Sequence, residues 1–63
     1  MSSAKKAADV AERILSVAPT LPPDIALASL DMAQHKLERA GALDGFAERL
    51  KEAREAVAKR AGS

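Results

Sequence analysis

The residues best suited to bind a metal ion or haem are His35, the only histidine, and Asp31, four positions before it. In a helix this spacing places both side chains on one face, where an imidazole and a carboxylate can reach the same divalent ion. Two ligands do not complete a zinc site, so a second chain would have to supply the others. On a helical wheel His35 lies opposite the apolar stripe of its segment, which favours a solvent-exposed side chain. We therefore predict no bound metal or cofactor, and keep a haem or metal site at His35 as an alternative.

Nucleophilic catalysis has no recognisable pattern in the sequence. The chain lacks cysteine, and none of its serine or threonine hydroxyls is spaced from the histidine in a way typical of a catalytic triad. A chain of 63 residues can close only one small core and has little room for a concave substrate pocket. We predict that the protein is not an enzyme and has no small-molecule substrate.

The charge balance is unlike that of a typical nucleic-acid-binding protein. Ten Lys and Arg residues against nine Asp and Glu residues leave a net charge of +1. A Gly-containing turn at residues 41–45 resembles the outline of a helix-turn-helix. However, the segment that would enter the DNA groove begins Asp44-Gly45-Phe46-Ala47-Glu48, which is acidic and apolar rather than basic. A helix-turn-helix protein that binds DNA or RNA is therefore an alternative, and nucleic acid is not the expected partner.

The chain contains no apolar run long enough for a membrane span or a signal peptide. The helical segments also lack the basic face and interfacial aromatic residues of membrane-surface helices. The absence of cysteine permits a reducing compartment. These features predict a soluble, cytoplasmic protein that does not contact membranes.

Helix is the only regular structure that the composition favours. Alanine, the strongest helix former, supplies 15 of the residues, whereas β-branched and aromatic residues are scarce. Apolar residues recur at spacings of three and four in three segments, which are separated by prolines at 19, 22 and 23 and by a glycine at 41. The pattern predicts a single all-α domain over residues 1–63, a small antiparallel three-helix bundle with helices at about 3–18, 23–40 and 44–61. Its predicted core comprises Val10, Ile14, Val17, Leu21, Leu30, Leu37, Leu43, Phe46, Leu50 and Val57.

The second predicted helix has a wider apolar arc than one buried face requires. Its core stripe is predicted to comprise Ala26, Leu30, Ala33, Leu37 and Ala40. Ile25 and Met32 lie on one side of this stripe, and Leu27 lies on the other. Either this helix is central and contacts both others, or its spare flank binds a partner. We assign the candidate partner-binding residues as Ile25, Leu27, Ser29, Met32 and Lys36.

These exclusions leave interaction between proteins as the predicted function. An apolar helical face with a charged rim suits an adaptor, an inhibitor, a small subunit or an engineered binder. The predicted partner is another protein or a second copy of the chain, because a core of this size is only marginally stable and a homodimer would hide more surface. The alanine-rich helices also fit a designed helical scaffold, and the sequence leaves natural or engineered origin open.

Overall fold

The computed structural model describes residues 3–62, which form three α-helices and, within that range, no strand. The helices are α1 (Ser3–Val17), α2 (Pro23–Arg39) and α3 (Ala47–Gly62). Short connections, each with a 3-10 turn, make consecutive helices antiparallel. Helix α2 is central, since it packs extensively on both α1 and α3, which contact each other much less. The predicted all-α three-helix bundle is confirmed.

The first connection ends α1 one residue earlier than predicted. Residues Ala18–Thr20 form a 3-10 turn, because Pro19 has no N–H to continue an α-helix. The Thr20 hydroxyl donates to the Val17 carbonyl oxygen at 2.7 Å, which satisfies one of the free carbonyls at the end of α1. From the far end of α3, Arg60 donates to the carbonyl oxygens of Ala18 at 3.2 Å and Leu21 at 2.9 Å. The connection is therefore fixed to α3 by one side chain.

The end of α2 is a complete Schellman motif. The N–H of Ala42 donates to the Leu37 carbonyl at 2.8 Å, and the N–H of Gly41 donates to the Glu38 carbonyl at 3.1 Å. Gly41 has φ +68°, the left-handed conformation that this motif needs and that only glycine adopts at low cost. The sequence prediction of a glycine stop at this position is correct.

We expect Gly41→Ala to destabilise the fold by about 1 kcal/mol, because a Cβ is strained in the left-handed region even where space is open. Gly45→Ala is the matched control. Gly45 has no positive φ and no atom within 4 Å of an added Cβ. This substitution should stabilise the fold by about 0.5 kcal/mol by restricting the unfolded chain. Urea unfolding followed by circular dichroism measures both changes, and equal effects from the two variants would contradict the assignment.

Helix α3 starts later than predicted. Residues Leu43–Gly45 form a 3-10 turn, so Asp44 lies inside this turn instead of capping the helix. The Phe46 N–H donates to the Leu43 carbonyl at 2.9 Å, and the α-helical pattern begins with the bond from the Leu50 N–H to the Phe46 carbonyl. Tight 3-10 turns are frequent at helix starts, and apolar spacing does not distinguish them from α-helix.

Alanine supplies five of the ten buried core residues of the described chain, and leucine supplies three. Ala11, Ala26, Leu30, Ala33 and Leu37 are completely buried. The other buried residues are Ala7, Ile14, Ala18, Leu50 and Val57. Four of the remaining predicted core residues are half-buried against this cluster: Val10, Leu21, Leu43 and Phe46.

The prediction that Val17 belongs to the core is wrong, since this side chain is 40 % exposed. On a helical wheel Val17 lies about 90° from the centre of the buried stripe of α1. It points towards the side of the bundle that α3 does not cover.

Candidate interaction face

Helix α3 closes one side of the α1–α2 pair. On that side Arg49 forms an ion pair with Glu12 of α1, and its guanidinium lies 5.3 Å from the centre of the Phe46 ring. Arg54 pairs with Asp31 of α2 at 2.7 Å. Leu15 of α1 shares a cleft with α3 residues, including Val57. This side of the pair is therefore occupied by contacts within the chain.

The opposite side of the pair is open. A cleft of about 470 Å³ lies between the start of α1 and the end of α2, and no α3 residue lines it. Its walls include Lys6 and Val10 from α1 and Lys36 and Arg39 from α2. The shared lining places residues 6–10 of α1 level with residues 36–40 of α2.

The apolar side chains exposed along this open side come from both helices. Ile25 is 50 % exposed, Met32 is 49 % exposed and Val17 is 40 % exposed. On the α2 wheel Ile25, Ser29, Met32 and Lys36 lie within about 60° of one another. The antiparallel register places Val17 level with Ser29, between Ile25 and Met32. We call the surface formed by the following residues the α1–α2 face: Val10, Val17, Ile25, Ser29, Met32 and Lys36.

Leu27 does not belong to the α1–α2 face. It lies about 160° around α2 from Ile25 and is half-buried against the core. Four of the five candidate partner-binding residues thus share one surface, and Leu27 packs on the other side of the helix. The sequence already placed Leu27 on the opposite flank, but only the position of α3 shows which flank is covered. The binding role of these residues stays a prediction.

The charges around the α1–α2 face are all positive. Lys6, Arg13, Lys36 and Arg39 border it, and these four side chains form no ion pair among residues 3–62. The carboxylate nearest to the face is that of Asp9 on the α1 wheel and that of the first-turn aspartate on the α2 wheel. Both lie about 90° or more from the centre of the face. Four of the ten basic residues and none of the nine acidic residues therefore surround this surface. Sequence reasoning missed this segregation because the net charge is close to zero.

His35 and the Asp31 carboxylate do not form the pair of metal ligands that the alternative prediction requires. The Nδ1 atom of His35 lies 3.0 Å from the Asp31 backbone carbonyl, and the Asp31 carboxylate is paired with Arg54. Within the described part of the chain, no three His, Cys, Asp or Glu side chains are grouped so that they could hold a metal ion. A metal at His35 would have to compete with Arg54 for the carboxylate.

Two basic side chains of α3, the helix that would enter DNA, are bound within the chain. Arg54 donates to the Gln34 side-chain oxygen at 2.5 Å in addition to its pairing with Asp31. Arg60 is bound to carbonyls of the first connection. The first turn of α3 contains the acidic Glu48. The helix that would enter DNA thus starts with an acidic residue and has two of its basic side chains bound within the fold.

None of the helices described between residues 3 and 62 is long and apolar enough to cross a bilayer. Comparison of the chain with protein-family models, with curated proteins and with solved structures finds no match.

Proposed function

We propose that this chain is a protein-interaction module whose α1–α2 face binds a helix of a partner protein. The observation that supports this proposal is the exposure of Ile25, Met32 and Val17 together on the side of the bundle where no third helix packs. Side chains of this kind are normally buried, and a cluster of them on a monomer is typical of an interaction surface.

A helix laid along the α1–α2 face would complete a four-helix arrangement. Burial of each half-exposed apolar side chain would contribute about 1 kcal/mol, to which the partner's own apolar residues add.

A helix is the occupant that suits the shape of the face. Two antiparallel helices leave a straight groove between them, and apolar residues at intervals of three and four on a third helix fill such a groove. The stretch from Ile25 to Lys36 is about 16 Å long, which corresponds to three helical turns. An extended peptide would gain no backbone hydrogen bonds from the protein here, because helical side chains, and no strand edge, line the groove.

The test is selection of binders from a displayed library of helical peptides with randomised flanking charges. We expect the selected peptides to shift backbone amide NMR signals at residues 10–17 and 25–36. Met32→Asp should weaken their binding at least about tenfold, because it places a charge in the apolar centre. Ala56→Asp, on the exposed surface of α3, is the matched control and should leave binding unchanged.

Circular dichroism of Met32→Asp separates loss of binding from loss of fold. Because Met32 is half exposed, we expect the helical signal to be retained. Peptides that bind mainly to α3, or that bind Met32→Asp as well as the parent protein, would overturn the proposal. A selection that yields no binder would also overturn the proposal, since the library contains the class of helical peptide that the face is proposed to bind.

A further inference from the structure

The charge around the α1–α2 face identifies the chemistry of the partner. This inference rests on the proposed function, since it concerns the same surface. The apolar centre is bordered by Lys6, Arg13, Lys36 and Arg39, and the described residues offer these four cations no ion-pair partner. We propose that the partner helix carries carboxylates on both sides of its apolar stripe, and that the partner is a different protein rather than a second copy.

Symmetry disfavours a second copy as the partner. In a two-fold dimer built on this face, the same surface lies on both sides of the interface. Each copy would then contribute four cations to the rim of one interface, and neither face would contribute an Asp or Glu to balance them. Like charges brought together in a partly desolvated interface oppose association. The face therefore favours a partner of opposite charge.

The apolar centre of the face favours an acidic helix over a nucleic acid or a membrane surface. Phosphate groups of nucleic acid or lipid headgroups could pair with the four cations. Nucleic acid would, however, leave Ile25, Met32 and Val17 against charged groups or water, and the face lacks the interfacial aromatic residues typical of membrane-surface helices. An amphipathic helix with acidic flanks satisfies the apolar centre and the basic rim together.

The arrangement of the cations also sets an orientation for the partner. Lys6, Lys36 and Arg39 lie around one end of the face, at the start of α1 and the end of α2. At the other end, near Ile25 and the prolines of the first connection, none of these four cations lies, and the Arg60 guanidinium there is bound to carbonyls of the connection. The partner's carboxylates should therefore be concentrated in the half of its helix that lies on the Lys36 end.

The decisive experiment compares two synthetic peptides of about 18 residues, a length similar to that of α2. Both carry leucine and isoleucine in one helical stripe, and they differ only in glutamate or lysine at the flanking positions. Isothermal titration calorimetry should show that the glutamate peptide binds at least about tenfold more tightly than the lysine peptide. The affinity of the glutamate peptide should fall when salt is raised from about 50 mM to about 500 mM. Lys36→Glu should remove most of this preference. Lys51→Glu, which changes the net charge equally but lies on α3, should retain it.

The controls separate failure of this inference from failure of the proposed function. Equal binding of both peptides, lost in Met32→Asp, would leave the α1–α2 face as a binding site and overturn the charge assignment. No binding of either peptide would overturn both.

Three further measurements test the competing occupants. Sedimentation up to about 1 mM should show a monomer, and a dimer that Met32→Asp dissociates would overturn the choice of a different protein. Vesicles of phosphatidylserine and phosphatidylcholine, and a short DNA duplex, should bind at least about tenfold more weakly than the glutamate peptide. Binding of either as tight as that of the peptide would overturn the choice of a helix.

Discussion

Replacement of Leu30 by alanine should unfold a large fraction of the protein at room temperature. Leu30 is completely buried in the middle of α2, the helix that packs on both others. Removal of a buried leucine side chain costs about 2 to 5 kcal/mol, through lost burial and the cavity left behind. The core of a chain of 63 residues supplies only about 3 to 5 kcal/mol of net stability. The cost of this single substitution is therefore close to the whole free energy of unfolding.

Urea unfolding monitored by far-ultraviolet circular dichroism measures the effect. We expect the Leu30→Ala transition to begin without added urea and the helical signal to be reduced from the start. Ile25→Ala is the control on the same helix, because Ile25 is half exposed and should lose less than about 1 kcal/mol. Similar losses for the two variants would show that α2 is not the centre of the core.

The sequence predicts the helices because their apolar spacing follows the helical period. It also predicts the end of α2, where Gly41 has a specific conformational role. The predicted helix boundaries are wrong where two backbone geometries have the same apolar pattern. Residues 43–45 fit an α-helix as well as a 3-10 turn, and only the hydrogen-bond pattern separates the two.

The position of α3 is the property that sequence periodicity could not supply. Helical wheels place Ile25 and Leu27 on opposite flanks of α2, and both flanks carry apolar residues. On the Leu27 side α3 buries Leu50 and Val57, and the largely exposed ion pairs of Arg49 with Glu12 and of Arg54 with Asp31 accompany this packing. These pairs join residues distant in the chain, so their formation depends on the packing itself. The same packing explains why Val17 is exposed rather than buried.

The contact between α1 and α2 depends on alanine. Ala33 and Ala11 are completely buried, and Ala7 and Ala40 meet at the end where the cleft opens. On the α2 wheel Ala33 lies towards α1 rather than α3. Small side chains at such positions allow two helix backbones to approach closely, and the distance between helix axes follows the size of the side chains at the contact. These alanines therefore set the distance between α1 and α2 beneath the α1–α2 face.

Ala33→Leu should accordingly destabilise the protein by about 1 to 3 kcal/mol, because the larger side chain has no space between the packed helices. Ala28→Leu is the matched control, since Ala28 is exposed on the same helix and the same substitution there should change stability by less than about 0.5 kcal/mol. Urea unfolding measures both variants. A stability of Ala33→Leu equal to that of the parent would mean that α1 tolerates displacement and does not fix the groove.

The same substitution tests the groove as a binding site. Since the proposed partner helix must fit between α1 and α2, Ala33→Leu should also weaken binding of the glutamate peptide under conditions where the variant remains folded. Retained binding alongside lost stability would instead place the partner's contacts on α2 alone.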